Sequence, residues 1–344
     1  MATFRFTAGP WNIHEGNETF GPGHRKTVGI EEKMKKFAEI GMSGMQFHDD
    51  DAVPDLSLNK IQTIEYAKDV RATLEKYGLF AEFVAPRLWF TKETNDGAFT
   101  ASNKEDREYA WWRAERSCDI AEALGTHKIQ LWLAREGTLC AESKSPVEGT
   151  LWLRDAFNHI LEYDREALIL VEPKPNEPVD RSYCGTAGHA LTVGANTIDP
   201  SRVGLCIESA HSILSGLDPA CDMGFALAFN KLWGVHLNDQ NGMKYDQDKA
   251  FGVDNLRQAF NQVKVLYENN FGDKGHFECV GLDVKAMRTQ PDEDCYRHLI
   301  NSKRIFELLL EKVKKFDYKY QAECVKNRNL EKLEMYVLEL LMGA

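Results

Sequence analysis

The sequence lacks long apolar runs, paired-cysteine motifs and any excess of basic residues. No run approaches the roughly eighteen apolar residues of a membrane-spanning helix, so we expect no membrane segment. Residues 1–16 carry neither the basic stretch nor the apolar core of a secretory signal, and we therefore expect a cytoplasmic protein. The eight cysteines show no C-x-x-C spacing, so we expect free thiols rather than disulfides.

The net charge of the chain indicates which classes of binding partner are disfavoured. A formal net charge of -11 disfavours nucleic acid and anionic membranes, because both bind basic protein faces. The same balance is compatible with carboxylate-rich cation binding. Hydrophobic residues make up 43% and charged residues 28% of the chain, which is typical of a globular protein rather than a disordered one.

Short β-rich runs alternate with longer amphipathic segments, a pattern typical of parallel βαβ units. The number of such runs predicts an α/β fold, a (β/α)8 TIM barrel at residues 1–290, followed by a C-terminal helical extension at residues 291–344. The eight predicted strands are Phe4–Ala8, Gly44–His48, Phe80–Ala85, Lys128–Leu133, Leu168–Glu172, Val203–Glu208, Leu232–Asn238 and Phe277–Asp283.

Ionisable residues stand at or near the ends of the last four predicted strands: Glu172, Glu208, His236 and Asp283. The carboxyl ends of barrel strands converge on one face, so these side chains are expected to meet. Several carboxylates around one point would repel each other, and a divalent cation would keep them ionised together. Oxygen-rich ligation with one nitrogen suits Mg²⁺, Mn²⁺ or Co²⁺. The alternative for any single acid is a helix cap or a surface charge.

A second acidic group occurs in the segment HLNDQNGMKYDQD, where Asp246 and Asp248 are two residues apart. His211, three residues after Glu208, would lie on the same face as that acid if the segment is helical. Glu208 would then bridge two cations. The alternative is an Asx-rich surface turn with no ligand.

His48, at the end of the second predicted strand, is followed three residues later by Asp51. A histidine beside a carboxylate is a candidate general base, because the carboxylate fixes its tautomer. The alternative is that the DDD segment only caps the next helix. In the segment VEPKPNEP, three prolines surround Glu172 and Lys174, which predicts a stiff chain at another strand end.

These segments resemble those of the xylose isomerase family, especially its shorter class. The resemblance is carried by VEPKPNEP, FHDDD and GMKYDQDKAFG, and extends in order through FGPG, DGAFT, LWLAREG, TAGHAL, GLCIESAH and LDVKAMRT, across roughly residues 4–290. It implies a TIM barrel with two divalent metal ions that interconverts aldoses and ketoses. It also implies a small sugar substrate and a homo-oligomer, dimer or tetramer.

The resemblance also implies roles for individual residues. Its cation ligands would be Glu172, Glu208 and Asp283 for a first ion, and Glu208, His211, Asp246 and Asp248 for a second. Lys174 would polarise the sugar oxygen O1, and His48, oriented by Asp51, would open the sugar ring. The substrate pocket would be formed by Trp11 and Trp132, with Phe20 lent by a neighbouring subunit.

Two departures from the family pattern bear on function. His236 stands where the family has an aspartate, which should favour Mn²⁺ or Co²⁺ over Mg²⁺. In RLWFTKETNDGAFT, Thr94 or Asn95 falls near the position of a pocket phenylalanine, which predicts a wider pocket. The preferred interpretation is an aldose-ketose isomerase. The alternatives are a Mn²⁺-dependent epimerase or a C-glycoside-cleaving lyase on the same barrel, and a non-catalytic sugar-binding or scaffold subunit.

Overall fold

The computed structural model describes residues 4–343 and confirms the TIM barrel. The predicted domain limits at residues 1 and 344 lie outside the described residues. Eight parallel strands close into a barrel in which each strand pairs with its neighbours along the chain and the first pairs with the last. The strands, β1 to β8, are Phe6–Ala8, Gly44–His48, Phe80–Ala85, Lys128–Trp132, Leu168–Glu172, Val203–Glu208, Leu232–Leu237 and Cys279–Leu282.

Four of the predicted strands have the observed limits, and the other four are shorter. The last strand begins at Cys279 rather than Phe277, because Phe277 has a left-handed backbone with φ of 53°. An additional antiparallel pair, Gly137–Thr138 with Arg181–Ser182, was not predicted from the sequence.

Helices surround the barrel and cover its outer face. The longer ones are Ile30–Ile40, Lys60–Lys76, Lys104–Leu124, Pro146–Tyr163, Ala187–Ala195, Pro219–Ala228 and Leu256–Glu268. Two short helices, Asp49–Ala52 and Ser209–Leu214, begin directly after β2 and β6. Single 3-10 turns occur at Pro10–Asn12, Lys92–Thr94, Ala141–Ser143, Pro200–Arg202 and Asp292–Asp294.

Three helices follow the barrel strands: Arg297–Lys314, Tyr318–Lys326 and Leu330–Met342. The first packs on the barrel through the buried Phe306, whose ring meets the edges of Phe4 and Phe6 at 4.9 and 5.2 Å. The other two are mostly exposed and bury only Cys324 and Val337. The division of the chain at residue 290 stays a prediction.

Among the described residues, no helix is long and apolar enough to cross a membrane. All eight cysteines lie in the described part of the chain and are free thiols.

Candidate active site

A cavity of about 360 Å³ opens at the carboxyl ends of the barrel strands. Its wall includes most of the residues that the sequence predicted as functional: Trp11, His48, Trp132, Glu172, Lys174, Glu208, His211, His236, Asp246, Asp248 and Asp283. Phe20 is outside it, 94% exposed on the surface.

The strand-end residues meet around the imidazole of His236. Its Nδ1 lies 3.3 Å from an oxygen of Glu172 and 3.8 Å from oxygens of Glu208 and Asp283. Neither ring nitrogen of this buried histidine makes a hydrogen bond with a described residue. Side chains at the ends of four successive strands therefore direct possible ligand atoms into one volume.

The second predicted group adjoins the first through Glu208. The short helix after β6 brings His211 Nε2 to 3.3 Å from Glu208 and 3.2 Å from Asp246. Oxygens of Glu208, Asp246 and Asp248 lie within 4.8 Å of one another. Asp248 is buried and has a left-handed backbone with φ of 47°, so it does not stand on an open surface turn.

Two lysines contact the acids of this second group. Lys174 Nζ donates to Asp246 Oδ2 at 2.8 Å, and Lys285 Nζ contacts Asp248 Oδ2. Burial disfavours the charge on Lys174, but Asp246 outweighs it and raises the pKa of the lysine. Both ammonium groups are therefore held charged beside the carboxylates.

The pKa shifts of these residues reflect the crowding of buried acids. Burial and the charge of Asp246 raise the pKa of Glu208 to about 7, although His211 opposes this shift. Burial and Asp246 also raise the pKa of Asp248 well above its usual range. Burial opposes the charge on His211, but Glu208 and Asp246 outweigh it and raise its pKa to about 9. Together with Glu172 and Asp283, five carboxylates here face four basic side chains, so an excess of negative charge remains.

His48 and Asp51 form the predicted pair. His48 Nδ1 lies 2.7 Å from Asp51 Oδ2, and Arg87 Nη2 donates to the other oxygen of Asp51 at 2.8 Å. Burial opposes the charge on Asp51, but His48 and Arg87 outweigh it and lower its pKa to about 2. The DDD segment also forms the short helix after β2. Its residues therefore cap that helix and also supply the carboxylate beside His48.

Aromatic rings form the apolar part of the wall. Trp11 lies 4.3 Å from the His48 ring and donates from Nε1 to Asp283 Oδ1 at 3.1 Å. Trp89 packs on Trp132 at 4.5 Å. Of the two residues expected beside the pocket, Thr94 is fully buried and Asn95 is exposed, and neither lines the cavity.

The donor set fits divalent cations. Besides both nitrogens of His236, the buried atoms His211 Nδ1 and Asp246 Oδ1 lack a hydrogen-bond partner among the described residues. Buried polar atoms are normally paired, so such a concentration of open imidazole and carboxylate atoms requires an explanation. A bound cation would pair them and would offset the excess negative charge.

Comparison with known proteins agrees with this architecture. A family model described as "Xylose isomerase-like TIM barrel" matches residues 34–269. The chain belongs to this family. It is 30% identical over 318 residues to a xylose isomerase of Thermus thermophilus, a match that covers 91% of this chain and 80% of that protein.

Solved structures with the xylose isomerase-like fold also superpose on the chain. A D-tagatose 3-epimerase-like protein matches with TM-score 0.65 and 16% identity, covering 90% of this chain and 100% of the other. An L-ribulose 3-epimerase matches with TM-score 0.63 and 12% identity, covering 94% and 98%. At these identities the likeness concerns the fold alone.

Several cavity residues of this xylose isomerase-like chain escaped the sequence analysis: Phe83, Arg87, Trp89, Gln130, Glu177 and Lys285. Gln130 donates to Glu172 at 2.5 Å, and a Glu177 oxygen accepts from the backbone of Asp246 at 2.8 Å. Lys285 follows the strand-end Asp283 by two residues, a spacing that could have flagged it. Arg87 and Trp89 carry no comparable signal, because their roles depend on contacts with distant residues.

Proposed function

We propose that this protein is a metal-dependent aldose-ketose isomerase acting on a small sugar. The observation that carries the proposal is the convergence of Glu172, Glu208, His236 and Asp283 in one cavity. The neighbouring His48 and Lys174 add a candidate base and a candidate oxygen-binding cation. The family and the 30% identical xylose isomerase support this reaction class.

Two divalent ions, Mg²⁺, Mn²⁺ or Co²⁺, would bind here. The first would be held by Glu172, Glu208, His236 and Asp283, and the second by Glu208, His211, Asp246 and Asp248. Bound cations of this kind polarise hydroxyl and carbonyl oxygens of a substrate. The imidazole of His236 makes the first set softer than an all-carboxylate set, which favours Mn²⁺ and Co²⁺.

His48 is the proposed ring-opening residue. Its Nδ1 proton is donated to Asp51 Oδ2 at 2.7 Å, which leaves Nε2 as the proton acceptor. Asp51 is itself fixed by Arg87, so the imidazole orientation is defined before substrate binds. His48 Nε2 would take the proton of the anomeric hydroxyl when the sugar ring opens.

Lys174 is the proposed partner of the sugar oxygen O1. It follows β5 between two prolines and is held by Asp246, so little reorganisation is needed when an oxygen approaches. Trp132, 5.0 Å from the ammonium group, and Trp11 cover the apolar side of the cavity. Exclusion of water by such rings suits a hydride shift between C2 and C1.

A sugar epimerase is the second candidate, favoured by one observation: His236 makes the first ligand set acids plus one histidine. Relatives in fold include proteins named as 3-epimerases. An epimerase of this kind would exchange a carbon-bound proton with solvent, whereas a hydride shift retains it.

Turnover in D₂O distinguishes the two. Aldopentoses, aldohexoses and the corresponding ketoses are incubated with the protein and Mg²⁺, Mn²⁺ or Co²⁺, and products are analysed by NMR. We expect an aldose converted to its ketose with little deuterium incorporated. Epimer formation with deuterium at the inverted carbon would support the epimerase. A protein that binds metal but turns over none of these sugars would contradict both proposals and support the non-catalytic alternative.

We also propose a homo-oligomer, dimer or tetramer, in the cytoplasm. Phe20 stands 94% exposed in the turn between Glu18 and Gly21, as expected of an aromatic lent to a second copy. Light scattering of the purified protein measures the oligomeric state. A strictly monomeric species would contradict this part of the proposal.

A further inference from the structure

A buried thiol lies beneath the proposed first cation position. Cys206 is two residues before Glu208 on β6, so its side chain is on the same inward face of the strand, one layer deeper in the barrel. It is 1% exposed. Its Sγ, one carboxylate oxygen of Glu172 and one ring nitrogen of His236 all lie within 4.8 Å of one another.

One neighbour of this thiol, His236, is free to bind a ligand. His236 is 1% exposed, yet neither of its nitrogens has a hydrogen-bond partner among the described residues. Its Nδ1 is 3.3 Å from Glu172 Oε2, a separation that two ligands of one tetrahedral ion can have. The three possible ligand atoms, all within 4.8 Å of one another, would draw together around an ion whose bond to sulfur is about 2.3 Å long.

Charge and burial distinguish this deeper position from the one above it. A divalent ion bound by one carboxylate, one thiolate and one neutral imidazole forms a neutral assembly. The upper position, with Glu172, Glu208 and Asp283, leaves an excess negative charge, and Asp283 is partly exposed. A neutral assembly is the less costly one to bury, and a thiolate ligand selects soft ions.

We propose that Glu172, Cys206 and His236 form a binding site for a thiophilic divalent cation of the Zn²⁺ or Cd²⁺ class. Binding forms a metal–sulfur bond and releases the thiol proton to solvent. Because Glu172 and His236 are shared with the upper position, a soft ion bound here excludes Mg²⁺ or Mn²⁺ from that position. The exclusion rests on the proposed function, whereas binding of the soft ion does not.

Cadmium is the probe, because a cadmium thiolate absorbs in the ultraviolet. The metal-free full-length protein is titrated with CdCl₂, and the charge-transfer band is recorded. We expect the band to grow to one equivalent in the wild type and to be lost in Cys206→Ser. The matched control, Cys279→Ser, removes a buried thiol of β8 that belongs to no group of three possible ligands among the described residues, and should keep the band.

A second readout measures the competition. Electron paramagnetic resonance of Mn²⁺ reports how much manganese cadmium releases, and we expect one ion released from the wild type. Cys206→Ser should still bind Mn²⁺ but should bind cadmium without sulfur ligation. Cadmium NMR of the wild type, which reports sulfur ligation directly, decides the matter if that variant does not fold.

Three further results would each support or contradict a stated part of the proposal. A wild-type protein that binds cadmium without a thiolate band or a sulfur-ligated NMR signal overturns this proposal, whatever its isomerase activity. A thiolate band without any Mn²⁺ binding supports the soft site and contradicts the proposed isomerase. A band that persists in Cys206→Ser assigns the ligation to another cysteine and overturns the site.

Discussion

Two buried acidic clusters lie at the same end of the barrel and differ in how their charge is neutralised. The compensated cluster comprises Asp49, Asp50, Asp51, Arg87, Arg113 and Arg116, with one arginine for each acid. The acid-excess cluster comprises Glu172, Glu208, Asp246, Asp248 and Asp283 with His211, His236, Lys174 and Lys285. The difference separates a cluster whose acids are paired within the protein from the cluster that, on the proposed function, would hold an added cation.

Asp49 shows how completely the first cluster is paired. Its two oxygens accept from Arg113 Nε at 2.7 Å and Nη2 at 2.5 Å, from Arg116 at 3.1 Å, and from the backbone of Arg87 at 2.9 Å. Such bidentate, multiply bonded pairs keep a buried carboxylate ionised without a metal. The network fixes the helix that carries Asp51, and so positions His48.

The largest expected effect breaks the compensated cluster. Asp49→Asn keeps the side-chain shape but leaves Arg113 buried opposite a neutral group, and we expect a loss of about 3–5 kcal/mol of unfolding free energy. Urea unfolding followed by circular dichroism measures it. The exposed pair Lys36–Glu39 is the control, because Glu39→Gln should cost less than about 1 kcal/mol. Equal losses in both variants would contradict the contrast.

In the acid-excess cluster, replacing an acid by its amide should maintain or raise the unfolding free energy of the metal-free protein. The pKa of Glu208 rises from 4.5 to about 7 on folding, so its stabilising contribution is present below 4.5 and is lost as pH rises through 7. Glu208→Gln removes that penalty, and at about pH 8 the metal-free variant should be at least as stable as the wild type.

Added Mn²⁺ should reverse the order of these two proteins. At 100 times its dissociation constant, the ion should stabilise the wild type by about 2.7 kcal/mol and Glu208→Gln far less. Thermal unfolding with and without metal gives both values. A variant that unfolds as readily as Asp49→Asn in the absence of metal would show that Glu208 is a structural acid.

The smallest expected change in unfolding free energy is at Asp51, an acid of the compensated cluster that contacts His48. Its pKa falls from 3.8 to about 2 on folding, so its contribution is present above 3.8 and is lost as pH falls through 2. We expect about 2 kcal/mol at neutral pH. Asp51→Asn should be less stable near pH 7 and should lose less stability on acidification toward pH 3. An unchanged acid dependence, measured by urea midpoints, would contradict the assignment.

Much of the barrel could be predicted because its signals are local. The limits of β2, β3, β5 and β6 follow from runs of buried residues bounded by turns. The start of β8 could not be predicted, since the left-handed backbone of Phe277 depends on its surroundings. The burial of Arg113 was equally hidden, because an arginine in a long charge-rich helix is normally exposed.

The sequence by itself determined the eight strands and the placing of Glu172, Glu208, His236 and Asp283 at or near strand ends, because strand periodicity and chain order fix these. Only the tertiary structure decided which acids pair with a basic side chain of the protein itself. Asp49 meets its arginines across 64 and 67 residues, and burial, which sets the energy of each charge, depends on every element packed around it.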